Sequence, residues 1–411
     1  MNHKNVLPKY RFPEFDGDWE LTSLGSLADK VTIRNRNNLI SRTLTNSAAE
    51  GIVDQSDYFE RDIVSKGNQE NYFIVSKGDY VYNPRVSTLA PVGPISKNKL
   101  GEGIMSPLYS VFRFKNPNND FYEHYFKSNF WHSYLKNISN TGARHDRISI
   151  LSDGFMGMPV PQNSEMEQQK IADCLNSFDE LIAAEDKKLA LLKIHKKGLM
   201  QKLFLAEGKT IPEWRFSEFR NGGDWMKVTL DSVVNYENGK AHENEIADKG
   251  KYVVANSKFI STEGEVKKYS DSANLLAHEG DILMVLSDVP NGRAIAKCFL
   301  VDKNNTYTVN QRICKLTPKD VAGLLLFYII NRNSYFLKHD DGIKQTNLRK
   351  DDVLAFPFAI PKDINEQQRI ADCLYSLDGK IVAQAEKIET LKHHKKGLMQ
   401  GLFPSAQEVF E

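Results

Sequence analysis

The chain contains one long segment twice, 199 residues apart. The first copy runs from Glu167 to Phe204 (EQQKIADCLNSFDELIAAEDKKLALLKIHKKGLMQKLF) and the second from Glu366 to Phe403 (EQQRIADCLYSLDGKIVAQAEKIETLKHHKKGLMQGLF); 24 of the 38 aligned positions are identical. A weaker repeat precedes each copy, because Leu7–Phe15 (LPKYRFPEF) matches Ile211–Phe219 (IPEWRFSEF). The stretches between these anchors show no convincing identity. A tandem repeat is therefore predicted, in which one scaffold carries two different domains.

Apolar residues recur at alternating steps of four and three along both copies, which is the spacing of a coiled-coil seam. At about 1.5 Å per residue, each segment would form a helix roughly 57 Å long, too long to be covered by one small domain. The simplest partner for each helix is the other copy, packed antiparallel. The predicted seam residues are Ile171, Leu175, Phe178, Ile182, Leu189 and Leu192 in the first copy, and Ile370, Leu374, Leu377, Ile381, Ile388 and Leu391 in the second.

Polar residues interrupt both seams at the same two places, with Glu185 and Gln384 at one and Lys196 and Lys395 at the other. Polar seam positions cost stability and restrict the register of the pair. In an antiparallel pair we expect Glu185 and Gln384 near the middle and the lysines near the ends, where their ammonium groups can reach water. The alternative is that all four are solvated positions on imperfect amphipathic helices.

Composition limits the classes of protein. A chain of 411 residues with 41% hydrophobic residues can form two domains plus connecting helices, and a net charge of +1 requires any nucleic-acid surface to be local. No apolar run approaches the ~20 residues of a membrane span, and the start MNHKNVLPKYRF is not a signal peptide, so we expect a cytoplasmic protein without membrane contact. The four cysteines lack metal-ligand spacing, which predicts reduced thiols and no metal site.

The two divergent stretches carry the signals of mixed α+β domains. Each passes through a Gly-Asp turn, at Gly78 and at Gly280, into an apolar strand. Amphipathic helices are then predicted at 120–136 and 319–338. Each stretch ends in a strand marked by prolines, MPVP in the first half and FPFAIP in the second, directly before the long helix.

Polar loops beside these strands contain the side chains that bind nucleic acid. Arginine can bridge guanine O6 and N7, asparagine and glutamine can bridge adenine N6 and N7, and lysine can anchor phosphates. The alternative is that these loops are ordinary solvated turns. The candidate DNA-binding residues are Arg85, Arg144, His145 and Arg147 in the first half, and Asn291, Arg293, Lys344, Gln345, Asn347 and Arg349 in the second.

A search for catalytic motifs gives no candidate. The sequence Tyr82-Asn83-Pro84-Arg85 is similar to the Asn-Pro-Pro-Tyr loop with which adenine methyltransferases hold an extruded base. However, Arg85 takes the place of the second proline and Val86 that of the aromatic residue. There is no glycine-rich nucleotide loop, Walker A lysine or GxSxG motif. We therefore predict no catalytic residue in this chain.

The pattern resembles the specificity subunit of type I restriction-modification enzymes along essentially the whole chain, most specifically in the twin segments that end in KKGLMQKLF and KKGLMQGLF. The resemblance implies an α+β fold with two mixed, strand-rich target-recognition domains separated by two long helices. The helices would pair as an antiparallel coiled coil in a pseudo-two-fold tandem repeat. The predicted boundaries are 1–166 for the first target-recognition domain, 167–204 for the first conserved helix, 205–365 for the linker and second domain, 366–404 for the second helix and 405–411 for the tail.

The resemblance also implies a function and partners. Each domain would read one half of a bipartite, asymmetric sequence in double-stranded DNA. Two methylation subunits would transfer methyl groups from S-adenosylmethionine to adenine, and two restriction subunits would hydrolyse ATP with Mg and cut DNA. This chain itself would hold no cofactor and catalyse nothing. The alternatives are a self-contained DNA methyltransferase or nuclease with divergent motifs, and a coiled-coil scaffold without DNA specificity.

Overall fold

The computed structural model of the protein describes residues 6–58, 69–141, 146–242, 245–290 and 292–404. The chain divides into two compact units. The first unit comprises Met1–Lys187 with Glu386–Glu411, and the second comprises Lys188–Ala385. The predicted tail at 405–411 lies outside the described residues. Among the helices of the described ranges, none is both long and apolar enough to cross a membrane.

Short strands and helices form the body of the first unit. The strands are β1 (Glu20–Ser23), β2 (Ala28–Lys30), β3 (Leu44–Ser47), β4 (Gly51–Asp54), β5 (Phe73–Val75), β6 (Tyr80–Tyr82), β7 (Ile95–Lys97), β8 (Gly103–Met105), β9 (Ser110–Phe114), β10 (Asn140–Thr141), β11 (Ile148–Ser149) and β12 (Pro159–Gln162). The helices are α1 (Leu24–Leu27), α2 (Gln55–Tyr58), α3 (Asp120–Phe126), α4 (His132–Ile138), α5 (Ser152–Met156) and the long α6 (Glu165–Leu203), which ends in the second unit.

The second unit is built in the same way. Its strands are β13 (Met226–Thr229), β14 (Val234–Asn238), β15 (Tyr252–Ala255), β16 (Tyr269–Ser270), β17 (Leu276–Ala277), β18 (Ile282–Val285), β19 (Ser287–Asp288), β20 (Cys298–Leu300), β21 (Tyr307–Val309), β22 (Ile313–Pro318), β23 (Thr346–Asn347) and β24 (Pro357–Ile360). Its helices are α7 (Leu230–Val233), α8 (Ser257–Ser261), α9 (Gly323–Ile330), α10 (Ser334–Leu337), α11 (Lys350–Leu354) and the long α12 (Ile364–Leu402), which ends in the first unit.

The two units share a strand topology that their sequences do not reveal. In each unit the first strand pairs antiparallel with the strand that precedes the long helix, β1 with β12 and β13 with β24. Each unit also contains a four-stranded antiparallel sheet, in the order β2-β9-β6-β7 in the first and β14-β22-β18-β20 in the second. The predicted mixed α+β architecture is therefore present in both halves.

Both long helices begin two residues before the predicted starts at Glu167 and Glu366. Capping residues that lie outside the repeated segments account for the difference. The hydroxyl of Ser164 accepts a hydrogen bond from the backbone N–H of Glu167 at 3.3 Å. The carboxylate of Asp363 accepts one from the N–H of Asn365 at 2.8 Å.

The long helices pair antiparallel within each unit. In the first unit Lys395 of α12 binds Asp179 of α6 at 2.5 Å, and Lys387 binds Glu185 at 2.5 Å, so the residue numbers fall along one helix as they rise along the other. All twelve predicted seam residues are buried or half-buried. Among the most buried are Ile171, Leu175, Ile370 and Leu374.

The two lysines of the seam do not reach water as expected. The Lys395 side chain is only 10% exposed and binds Asp179, while Lys196 binds Asp378, both at 2.5 Å. Burial lowers the pKa of Lys395, although its bond to Asp179 opposes that change. Asp179 and Asp378 are equivalent positions of the repeat, so each lysine binds the aspartate of the other copy. The expectation that the two lysines reach water was wrong, because Asp179 and Asp378, which bind them, are not seam positions.

The weaker repeat binds the first turn of a long helix. We call Leu7–Phe15 the first strap and Ile211–Phe219 the second strap. In the first unit Arg11 donates Nε and Nη2 to the carboxylate of Glu167 at 2.7 and 2.9 Å. In the second unit Arg215 donates the same two groups to Glu366 at 2.6 Å each. The arginine of each strap and the first glutamate of the repeated helix segment are therefore partners across about 150 residues of chain.

Each strap also binds the last turn of the other long helix. The backbone N–H of Tyr10 donates to the carbonyl of Gly401 at 2.7 Å, and that of Trp214 donates to the carbonyl of Lys202 at 3.0 Å. Phe403, which follows α12, is 1% exposed and lies 5.1 Å from Phe121, between ring centroids. Each unit is thus completed by the end of the helix that began in the other unit.

The predicted helices at 120–136 and 319–338 are each broken into two short helices. The first break falls between Phe126 and His132, where the Ser128 hydroxyl donates to the carbonyl of Tyr125 at 2.6 Å. The second falls between Ile330 and Ser334, where Asn333 caps α10. Short polar side chains compete for backbone groups in this way and end helices that apolar periodicity alone would continue.

Candidate nucleic-acid interface

In the first unit, two of the predicted loops lie side by side. Arg85 and Arg147 form an antiparallel bridge, flanked by hydrogen bonds from Val86 N–H to the Asp146 carbonyl at 3.0 Å and from Ile148 N–H to the Pro84 carbonyl at 3.1 Å. We call residues 84–86 and 146–148 the first ladder surface. It joins the segment after β6 to the segment before β11, which are about 60 residues apart in sequence.

The guanidinium of Arg85 is exposed on this ladder surface and is oriented by a carboxylate. Arg85 Nη2 lies 3.5 Å from the Asp146 carboxylate, and the two side chains are 58% and 50% exposed. A pair this exposed contributes little to stability. Its effect is to restrict the directions in which the Arg85 donors point, while leaving other donors of the fork open to solvent.

The second unit brings the equivalent pair of loops together. Strands β19 and β23 are antiparallel, with Ser287 opposite Asn347 and Asp288 opposite Thr346. We call residues 287–288 and 345–347 the second ladder surface. Its exposed side chains include Gln345 and Asn347, and Lys344 and Arg349 stand exposed at either end of the 345–347 strand segment. Gln345 Nε2 donates to the hydroxyl of Ser287 at 2.7 Å.

The two ladder surfaces occupy equivalent places in their folds. Each follows a central strand of the four-stranded sheet, β6 or β18, and each strand begins after an equivalent Gly-Asp turn. In those turns the carboxylates of Asp79 and Asp281 accept hydrogen bonds from Ser76 N–H and His278 N–H, both at 2.8 Å. The divergent sequences therefore present two different surfaces from one framework.

Hydrogen bonds to one carboxylate fix the loop that follows β19. The carboxylate of Asp288 accepts the backbone N–H groups of Val289, Ala294 and Ile295 at 2.9, 2.6 and 3.0 Å. Gly292 passes so close that an added Cβ would lie 2.1 Å from Asp288 Oδ2. An added side chain would displace the Asp288 carboxylate from these bonds, around which the turn that carries Arg293 is closed.

The loop before β23 is organised by a second aspartate. Asp341 accepts the N–H groups of Ile343 and Lys344 at 2.9 and 3.0 Å. These backbone bonds hold the pKa of Asp341 below its ordinary value, so the carboxylate stays charged. Lys344 is thereby held at the start of the second ladder surface.

The structure places the predicted site residues as follows. Arg85 and Arg147 meet in the first unit, and Lys344, Gln345, Asn347 and Arg349 meet in the second. Arg293 is exposed on the neighbouring loop of the second unit. Arg144, His145 and Asn291 lie outside the described residues. The residues that orient the candidates were missed in the sequence, namely Asp146, Ser287 and Asp288.

The described part of the chain offers no group of three or more histidine, cysteine or acidic side chains placed to hold a metal ion. The four cysteines are free thiols. Burial raises the pKa of Cys314 to about 12, so this thiol stays protonated at neutral pH. The side chains named at the ladder surfaces offer hydrogen-bonding and ion-pairing groups.

Comparison with known proteins finds a matching family model, a relative and a shared fold. Residues 222–393 match the family described as type I restriction modification DNA specificity domain. The MjaVIII type I restriction enzyme specificity subunit of Methanocaldococcus jannaschii is 24% identical over 416 aligned positions, which cover 95% of this chain and 92% of the relative.

Two solved structures share the fold over nearly the whole chain. One is the type I restriction-modification S subunit from M. genitalium, with a TM-score of 0.58 at 14% identity, covering 97% of this chain and 100% of that one. Another comes from a study of complex assembly and conformational transition of a type I R-M system, with a TM-score of 0.59 at 15% identity and the same coverage. These structures confirm the predicted fold. The predicted resemblance is confirmed by the family model and the M. jannaschii relative.

Proposed function

We propose that this chain, a type I restriction-modification specificity subunit, reads a bipartite, asymmetric DNA sequence with its two ladder surfaces, one half-site for each unit. One observation carries the proposal. The same two-stranded ladder follows the same sheet strand in both units, and in both it presents side chains of types that can bind base edges, with different residues in the two halves. Because the two ladder surfaces are placed equivalently, each unit can bind one half-site. Because their residues differ, the two half-sites can differ in sequence.

Affinity and specificity would come from different side chains. Lys344, Arg349 and Arg293 would neutralise phosphates, which makes binding depend on salt concentration but not on sequence. Arg85 and Gln345 have the donor and acceptor patterns that discriminate base edges in the major groove. Because the net charge of the chain is only +1, a basic surface that binds DNA must be local.

The long helices would serve assembly with the catalytic subunits. In the second unit, Leu191 and Ile194 of α6 and Tyr375 and Val382 of α12 are each more than half exposed. We propose that these four side chains form part of a surface that another protein covers. The proposed partners are two methylation subunits that bind S-adenosylmethionine and two restriction subunits that use ATP and Mg. The chain itself would contribute no cofactor site.

Point variants in the assembled complex test the ladder surfaces. Arg85→Ala and Arg147→Ala should relax recognition of one half-site, and Lys344→Ala and Gln345→Ala should affect the other. Arg85→Lys is the matched control, because lysine keeps the charge but lacks the bidentate fork. Binding is measured by competition against duplexes with single changes in each half-site. Unchanged affinity and specificity in all four alanine variants would place the reading surface elsewhere.

Exchange of a whole domain tests whether each unit reads one half-site. Replacing residues 20–165 with the corresponding domain of another specificity subunit should change one half of the methylated sequence and preserve the other. Simultaneous loss or change of both half-sites would contradict the two-reader proposal. Methylation or cleavage by the purified chain alone would instead support the self-contained enzyme.

A further inference from the structure

We propose that Gln345 reads an adenine in the second half-site and that Ser287 is its positioning residue. The inference rests on the proposed function, because it assumes that the second ladder surface faces DNA. The Gln345 amide would contact the adenine, and the Ser287 hydroxyl would set the direction of that amide.

The amide of Gln345 is held from one side. Its Nε2 donates to the hydroxyl of Ser287 at 2.7 Å, and Ser287 is 6% exposed whereas Gln345 is exposed. An exposed glutamine ordinarily loses rotamer freedom when it binds a base. Here the bond to a buried hydroxyl restricts the side chain before any ligand arrives.

The position of Ser287 is fixed by the backbone ladder. Ser287 lies opposite Asn347 in the antiparallel register. Next to it, the N–H of Leu348 donates to the carbonyl of Leu286 at 2.8 Å. The hydroxyl therefore lies next to a point where both strands of the ladder are anchored in the core, since Leu348 is buried and Leu286 packs against the same hydrophobic cluster.

The bond to Ser287 leaves a particular pattern on the outer side of the amide. A carboxamide has two N–H donors and one carbonyl acceptor. Within the described part of the chain, the Gln345 amide bonds to Ser287 alone, which leaves one N–H and the carbonyl oxygen. This donor-acceptor pair complements the N7 acceptor and N6 donor of adenine in the major groove.

The same pattern disfavours guanine. Guanine presents two acceptors, N7 and O6, so the amide carbonyl would face O6 without a proton between them. A flexible glutamine could turn its NH2 group toward both acceptors, but the bond to Ser287 uses one of those two donors. Ser287 thus contributes to the choice of base without contacting DNA.

Base analogues test the inference in the assembled complex. Adenines of the second half-site, on either strand, are replaced one at a time by 7-deaza-adenine, which keeps base pairing and N6 but lacks the N7 acceptor. The complex with unaltered Gln345 should bind one such duplex roughly ten-fold more weakly. Gln345→Ala should bind the analogue and the natural duplex equally. Gln345→Glu, which keeps the size but has no donor for N7, should also lose the discrimination.

Variants of Ser287 separate positioning from structure. Ser287→Ala should reduce the ratio between natural and analogue duplexes, and Ser287→Thr should restore it because the hydroxyl returns. A general loss of fold would lower both affinities and leave their ratio unchanged.

If Gln345→Ala weakens DNA binding while no analogue is discriminated by the unaltered complex, the adenine assignment is overturned and the ladder surface stands. If Gln345→Ala, Lys344→Ala and Arg349→Ala all bind every duplex normally, the proposed surface itself fails. A second half-site without an A·T pair also overturns the inference.

Discussion

Replacing Arg215 with alanine is expected to destabilise the second unit by about 3–5 kcal/mol, the usual cost of leaving one charge of a buried ion pair without its partner. Arg215 is 7% exposed and Glu366 is 1% exposed. The guanidinium donates to both carboxylate oxygens at 2.6 Å. These bonds raise the pKa of Arg215, so its guanidinium stays charged.

The equivalent change in the first unit, Arg11→Ala, is the matched control. There Glu167 keeps a hydrogen bond from Trp19 Nε1 at 3.0 Å, and Arg11 is 19% exposed, so water can replace part of the lost contact. We expect a loss of about 1.5–3 kcal/mol, typical of one hydrogen-bonded charged group. In the second unit, Nε1 of Trp225, the counterpart of Trp19, bonds to none of the described residues.

The assay must report on each unit separately, because a chain of two units need not unfold in one transition. Peptide-resolved hydrogen exchange in increasing urea does so, with β13 and β24 reporting on the second unit and β1 and β12 on the first. The double variant Arg215→Met with Glu366→Leu should recover most of the loss, since it removes both charges. A loss in Arg215→Ala no greater than that in Arg11→Ala would refute the reasoning.

Other perturbations have equally definite outcomes. Burial lowers the pKa of His124 to about 4 from an ordinary value near 6.5, so the unfolded chain takes up the proton first as pH falls. The free energy of unfolding of the first unit should therefore decrease by up to about 3 kcal/mol across this pH range. A plot of urea midpoint against pH should be flatter for His124→Gln, and an equal slope would contradict this. Gly292→Ala should disrupt the loop around Asp288 and weaken binding to the second half-site, whereas Gly379→Ala, where an added Cβ meets no atom within 4 Å, should leave DNA binding unchanged. A circular permutant in which residue 411 is joined to residue 1 and the chain is opened between 207 and 208 should fold, because the end of α12 already binds the first strap. The complex assembled with this permutant should methylate the same sequence, and a changed motif in methylome sequencing would argue against the prediction.

The sequence predicted the features that depend on local spacing. The two long helices and their seam follow from apolar residues repeated every three or four positions. The pairing of Lys196 with Asp378 and of Lys395 with Asp179 could not be read in the same way, because the aspartates lie off the seam. Once antiparallel register is known, equivalent positions of the repeat indicate these pairs.

The candidate site was predicted by residue type but not by arrangement. Arg85 and Arg147 were candidates because arginine reads guanine, yet their bridge joins segments separated by most of a domain. Contacts between segments so distant in sequence depend on the tertiary fold, and no local sequence pattern predicts them. For the same reason the sequence did not identify Ser287, because its proposed role depends on its contact with Gln345.

Because each long helix begins in one unit and ends in the other, neither half of this chain is a complete folding unit. A polypeptide of half the length would carry a strap and a recognition domain but would lack the returning helix end that closes its core, as Phe403 does in the first unit. Two such polypeptides could complete each other by exchanging helix ends, and the pair would then read the same half-site twice, in inverted orientation. Fusion of two half-length genes, followed by divergence of one recognition domain, would convert that palindromic reader into an asymmetric one without altering the scaffold.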